Sequence, residues 1–265
     1  MAVLQVDTIS GQRTATKITK ALESLPPGLT KTYKETLART NSQEKSDAAF
    51  AIRTLLWISH SKRPLHVDEL LHALAVEWED SEEPPNDLDF DNLLDQESLI
   101  DVTGGLVVTE PESQIIRLVH FTVEEFFRSS TETLPDDKIE LARTCLIYLG
   151  FDIFRENAPS SWTELNIQRC YQLLNNAALY WGKHLVEVPE SRIKGDIEKL
   201  SLRFLGCRRT TGIVCQIAKY SEETLGPDRR SISIGVSGLH LVSRSKLPTL
   251  VSKMLGNNFE IDSKT

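Results

Sequence analysis

A mostly α-helical protein carrying one small antiparallel sheet is the fold class that this 265-residue sequence predicts. Three observations carry it. Apolar residues recur at helical spacing along most of the chain, as in Val67, Leu70, Leu71, Leu74, Ala75 and Trp78. Alternation at a period of two is confined to one stretch, 99–119, where Gly104-Gly105 and the turn "TEPES" separate short runs rich in β-branched residues. Beyond 131 the helical periodicity resumes and continues towards the final segment.

The elements follow in order. A helix is expected over about 14–24, ending at Leu25-Pro26-Pro27-Gly28, where the prolines bar continuation and the glycine permits a turn. The next begins near Thr30 and places Tyr33 and Leu37 one turn apart. A third, over 47–60, sets Ile52, Leu55, Leu56 and Ser59 on one side and is broken at Arg63-Pro64, before the amphipathic helix over 67–78. The acidic stretch "EDSEEPPNDLD" reads as a loop, after which Phe90, Leu93 and Leu94 suggest a short helix. Strands are expected at Leu99–Val102, Leu106–Val108 and Ile115–Val119. Helices followed by a strand hairpin are the order of a winged-helix domain, here spanning 47–130.

After it, Ile139, Ala142, Cys145, Leu146 and Leu149 hold helical spacing up to Gly150, a suitable helix-ending position. Cys170, Tyr171, Leu174, Ala177, Ala178 and Trp181 do the same before Gly182, and weaker patterns cover 193–205 and 209–224. Residues 131–232 therefore predict a helical bundle, a linker domain between the winged helix and the last segment.

Composition narrows the function. With 40% hydrophobic and 26% charged residues the chain can bury a core. Cys145, Cys170, Cys207 and Cys215 lie far apart without a C-x-x-C pair, the usage of reduced thiols in a cytosolic or nuclear protein and not of a disulfide or zinc framework, and a cytoplasmic location is the expectation. No stretch approaches the ~18 consecutive apolar residues of a membrane span, and "MAVLQVDTIS" lacks the layout of a signal peptide. Between Asp47 and Ser130 stand 18 acidic and 5 basic residues, so a segment of net charge −13 sits in a chain of net −8. The region where a DNA-reading helix would lie, "NDLDFDNLLDQE", holds five carboxylates and no lysine or arginine, which opposes a phosphate backbone. A winged-helix nucleic-acid binder is thus the alternative reading, and no nucleic acid is the expectation.

Candidate catalytic and metal residues do not emerge. There is no G-x-S-x-G, no H-E-x-x-H, no glycine-rich dinucleotide loop and no G-x-x-x-x-G-K-[ST] phosphate loop. His60, His66 and His72 are six apart and do not share a helix face. The expectation is a non-enzymatic chain without cofactor. Trp57, Trp78, Trp162 and Trp181 are assigned to core packing.

One histidine stands out. In "IIRLVHFTVEEFF", residues 115–127, His120 falls where an alternating strand stops and a helix with the stripe Val123, Phe126 and Phe127 begins. Thr122 and Glu125 make the T-x-x-E spacing of a capping box, with Thr122 as the expected cap.

"KALESLPPGLTKTYKETLAR", "RTLLWISHSKRPLHVDELLHALAV", "LIDVTGGLVV" and "IIRLVHFTVEEFF" together resemble the region between the NACHT nucleotide-binding domain and the ankyrin array of large fungal signal-transducing NTPases of the STAND class. The winged-helix part resembles the segment named after the GPI inositol-deacylase family, whose hydrolase chemistry belongs to a different domain. The resemblance is specific over 14–130 and looser over 131–230, through pieces such as "ALYWGKHL". It implies that 1–46 resemble the end of a NACHT module. Ser237-Gly238-Leu239-His240-Leu241-Val242 resembles the opening T-P-L-H-x-A of an ankyrin repeat, with Gly238 in place of proline and Val242 in place of alanine, so 233–265 form a single ankyrin-like repeat. In NACHT-type proteins a histidine in the context H-x-[ST]-x-x-E-F is implied to reach the β-phosphate of bound ADP, and His120 through Phe126 fit it. This chain has no phosphate loop of its own, so here His120 is expected to be a packed histidine satisfied by a neighbouring carbonyl. The function implied is a regulatory, protein-interaction module, autoinhibitory and coupled to an ankyrin sensor. Its partners would be a NACHT-type NTPase domain in cis or in trans, and other proteins at the ankyrin-like end.

Overall fold

A computed structural model describes residues 27–78, 83–129, 138–155, 164–193, 195–225 and 238–256. The expected helix over 14–24 and Trp162 lie outside the described residues. The protein is mostly helical with one small three-stranded sheet, the fold class predicted. It divides into two compact units, residues 1–59 with 96–136 and residues 60–95 with 137–265.

In the first unit, helix α1 (Pro27–Asn41) starts on a proline, whose missing N–H costs nothing in the first turn and whose φ suits a helix. It therefore begins three residues earlier than Thr30. Helix α2 (Lys45–His60) buries Ala51, Thr54, Leu55, Leu56 and Trp57. The stretch read as a first strand, Leu99–Val102, is instead part of helix α4 (Gln96–Val102). Leu99 and Thr103 are both fully buried four residues apart, a helical and not an alternating face. Thr103 Oγ1 closes the helix on the carbonyl of Ile100 at 2.7 Å. Its β-branched composition imitates a strand. The hairpin is as expected: β2 (Val107–Thr109) pairs antiparallel with β3 (Ile115–Leu118) in the register Val107↔Leu118, Val108↔Arg117, Thr109↔Ile116. Its turn is held by Ser113 Oγ donating to Glu110 Oε2 at 2.6 Å and by Gln114 at φ 54°. Helix α5 (Phe121–Ser129) follows β3 after only two residues. It packs Phe126 against Tyr33 of α1, ring centroids 5.6 Å apart.

In the second unit, the remaining strand β1 (Leu65–His66) runs into helix α3 (Val67–Leu74). The helix expected to reach Trp78 stops at Leu74, although Ala75 and Val76 stay buried and Arg143 stacks over Trp78 at 5.6 Å. Periodic apolar residues past the last turn still pack as irregular chain. The short helix expected through Leu94 is only a 3-10 turn, Phe90–Asn92, capped by the Asp89 carboxylate accepting from the Asp91 amide at 3.0 Å. Helices α6 (Lys138–Leu149), α7 (Asp152–Arg155), α8 (Glu164–Cys170), α9 (Leu174–Val186), α10 (Asp196–Leu205) and α11 (Arg208–Leu225) form the bundle. Its middle is α6 against α9, with Tyr148, Phe151, Phe154, Trp181 and Phe204 buried. Helices α12 (Gly238–Arg244) and α13 (Pro248–Gly256) form a final antiparallel pair, turned at Lys246 with φ 57°.

Gly238 is where the pair meets α10. A β-carbon there would lie 2.1 Å from the carbonyl oxygen of Leu205, a backbone atom that cannot swing aside. Gly238→Ala is therefore expected to lower stability by about 1–3 kcal/mol through overpacking. Gly212→Ala, inside α11 with nothing within 4 Å, should raise it by about 1 kcal/mol. Thermal melts followed by circular dichroism of the two variants check the opposite signs.

Candidate functional site

The junction between β3 and α5 is built around His120. An extended strand cannot supply the helical carbonyls that would satisfy the first amides of α5. The His120 ring does so. The Thr122 amide donates to its Nδ1 at 3.2 Å, and the Val123 amide donates to its carbonyl at 3.0 Å. The expected cap, Thr122, lies instead inside the first turn. Its buried hydroxyl stands 2.8 Å from His120 Nδ1 and 2.7 Å from the Tyr33 hydroxyl on α1.

An amide can only donate, so Nδ1 is an acceptor and the ring is neutral with its proton on Nε2. The chain of hydrogen bonds then has one direction, Tyr33 to Thr122 to His120. His120 is half-buried and its partner is a hydroxyl and an amide, in contrast to the expected backbone carbonyl. Burial holds its pKa below the ordinary imidazole value, as desolvation of the cation requires. On either side stand Val119, 42% exposed, and Phe121, 39% exposed, the latter with its ring 4.3 Å from the imidazole. Neutral and capped, His120 retains one donor, Nε2–H, at an apolar surface.

A matching junction, missed in the sequence, lies at β1 and α3. His66 Nδ1 accepts from the Asp68 amide at 3.3 Å while Glu69 accepts from the His66 amide at 3.0 Å, a capping box in which a histidine replaces the usual serine or threonine. Glu69 is in turn gripped by both terminal nitrogens of Arg63. The H-x-x-E spacing of His66 and Glu69 was the available signal.

A second polar cluster lies inside the bundle unit. His72 Nδ1 is 2.9 Å from the Tyr148 hydroxyl, and Tyr171 donates to Asp87 Oδ1 at 2.7 Å. Phe90, 47% exposed, lies edge-on to both Tyr171 and His72. Burial drives the Tyr148 and Tyr171 hydroxyls well above the ordinary phenol value, so both stay neutral. It pulls His72 down to about 4 despite the nearby Asp68, and His184 to about 4 with Lys62 adding to the effect. His72 and Tyr148 form a structural lock, since the hydrogen bond between imidazole and phenol joins α3 to α6.

Among the described residues no three His, Cys, Asp or Glu side chains are placed to hold a metal ion, and no helix is long and apolar enough to cross a membrane. The four cysteines are unpaired, and burial pushes the Cys145 thiol up to about 12.

The depressed values of His72 and His184 have a signed consequence. The unfolded chain takes up protons at its ordinary histidine pKa of 6.5, whereas the folded chain takes them up only near 4. Stability is therefore full above pH 6.5 and falls as pH drops towards 4. The loss reaches a few kcal/mol, because each tenfold difference in proton affinity between the folded and unfolded chain is worth about 1.4 kcal/mol. Denaturant titrations between pH 7.5 and 4 should show this slope, and His72→Phe should remove part of it.

Comparison with known proteins agrees with this geometry. Residues 37–137 match the family model described as GPI inositol-deacylase, winged helix domain. No curated protein and no solved structure matches the chain. A winged-helix domain is thus present, and the match covers that domain and not a catalytic one.

Proposed function

We propose that the chain is a non-enzymatic regulatory and protein-interaction module, the middle region of a NACHT and ankyrin signalling NTPase. In this reading the winged helix packs on a NACHT-type nucleotide-binding domain in cis or in trans. The observation that carries it is the occupied inner edge of His120. With Nδ1 taken up by Thr122, a neutral ring between exposed Val119 and Phe121 offers only Nε2–H outward, a donor suited to the β-phosphate of an ADP held by the opposing domain. Such a contact would report the nucleotide without any chemistry in this chain, and would hold the resting state closed.

Two further features support the reading. The excess of carboxylates over 47–130 repels nucleic-acid phosphates, which disfavours the use of the winged helix as a DNA reader. The pair α12 and α13 ends the described chain in an antiparallel helix hairpin, the shape of unit from which ankyrin-type arrays are stacked and by which they meet other proteins. A cytoplasmic location belongs to the same reading and fits the unpaired cysteines.

The test is nucleotide retention. Extending the transcript upstream should reveal a G-x-x-x-x-G-K-[ST] loop, and the extended polypeptide should bind ADP. His120→Ala in it should weaken ADP about 10–100-fold, the worth of one hydrogen bond to a charged group. By calorimetry residues 1–265 alone should bind neither ADP nor duplex DNA. Micromolar binding of either by residues 1–265, or unchanged ADP affinity in the extended His120→Ala variant, would overturn the reading.

A further inference from the structure

We propose that His120 is a proton-reversible helix cap: the neutral ring closes the first turn of α5 and receives a hydrogen-bond relay from α1, and protonation opens the cap and reverses the relay. The cap works in this way whether or not a nucleotide-binding domain docks on the winged helix.

The Thr122 amide donates to Nδ1. In the Nε2–H tautomer that this contact requires, the Thr122 hydroxyl, 2.8 Å from the same nitrogen, donates to it and accepts from Tyr33 at 2.7 Å. A proton added at Nδ1 ends its capacity to accept. The Thr122 amide then loses its partner, at the helix end where aligned peptide dipoles already place partial positive charge. The imidazolium can only donate, so Thr122 must accept from it and turn its own proton towards Tyr33. Every bond along the relay changes direction, while the amide is left bare beside a cation.

The matching junction at His66 shows what is special here. Its Nδ1 caps the Asp68 amide in the same position, but the Asp68 carboxylate also stands 3.4 Å from that nitrogen. His120 has the hydroxyl of buried Thr122 in the corresponding place. The titratable and charged groups on the elements that meet at His120 are Lys31, Tyr33, Lys34, Glu35 and Arg39 on α1, Arg117 on β3, and Glu124, Glu125 and Arg128 on α5, and of these Tyr33 reaches the ring through Thr122. Among the described residues burial alone shifts its titration, and in the direction that resists the proton. Val119 and Phe121 flank His120 in the chain and the Phe121 ring lies 4.3 Å from the imidazole, so the turn released by protonation is the one that carries this exposed apolar pair.

The experiment is nuclear magnetic resonance on residues 1–265 with labelled histidine and amide nitrogens. At pH 7.5 the His120 ring should be in the Nε2–H tautomer. On acidification the Thr122 amide should shift with the midpoint of His120, below 6.5, and its hydrogen-exchange protection should fall roughly tenfold, as loss of a cap implies. His120→Asn, which keeps an acceptor and cannot titrate, should retain protection at Thr122 and abolish its pH dependence. An Nδ1–H tautomer in the unsubstituted chain, or a Thr122 amide indifferent to the His120 titration, would overturn the proposal. So would a pH dependence that survives in His120→Asn.

Discussion

Every helix begins with backbone amides that have no partner within the helix, and at two places in this protein a strand runs into a helix with almost no loop in which to find one. Much of the local architecture depends on how those amides are met. At His66 and at His120 the answer is an imidazole nitrogen, a planar acceptor long enough to reach the amide two residues ahead while the chain is still extended. At His120 the capping nitrogen accepts only while it carries no proton, so a question of helix geometry becomes one of protonation. At His120 the same nitrogen gathers Thr122 and, through it, Tyr33, whose ring also lies against Phe126. The cap therefore fixes the entry of α5, its seat on α1 and the placing of Val119 and Phe121.

The bundle unit uses neutral polar groups differently. His72, Tyr148 and Tyr171 lie in an aromatic core that includes Phe151 and Phe154, and Tyr171 reaches out to the exposed Asp87 beside Phe90. Buried polar atoms are costly unless paired, and paired ones constrain which helices may lie together. Tyr148 packs against Phe151 and Tyr171 while its hydroxyl reaches His72, so one side chain serves both the apolar core and the link between α6 and α3. His120 stands beside exposed Val119 and Phe121, whereas His72 and Tyr148 are buried and their hydrogen bond ties two helices together.

Much of the fold was legible because helical periodicity survives wherever one face of a helix is buried. Val67, Leu70 and Leu74 line the buried face of α3, and the turns at Gly104-Gly105 and at "TEPES" separate the segments as read. The failures are as physical. Leu99, Ile100 and Val102 are good strand formers that tertiary burial of Leu99 and Thr103 places in a helix, and Leu65-His66 is too short for alternation to show. Trp78 continued a helical stripe past the point where the helix ends, because an irregular segment can bury the same residues.

From the sequence alone came the helical class, the hairpin, the net negative charge of the winged-helix segment, and the singling out of His120 at a strand-to-helix boundary. These follow from periodicity and composition, which are properties of neighbours along the chain. Which atoms His120 meets was decided only by the tertiary structure. Tyr33 and Thr122 are 89 residues apart, and His72 and Tyr148 are 76 apart. No local pattern encodes such a pairing, and the burial that lowers the pKa of His72, His120 and His184 is likewise a product of the fold.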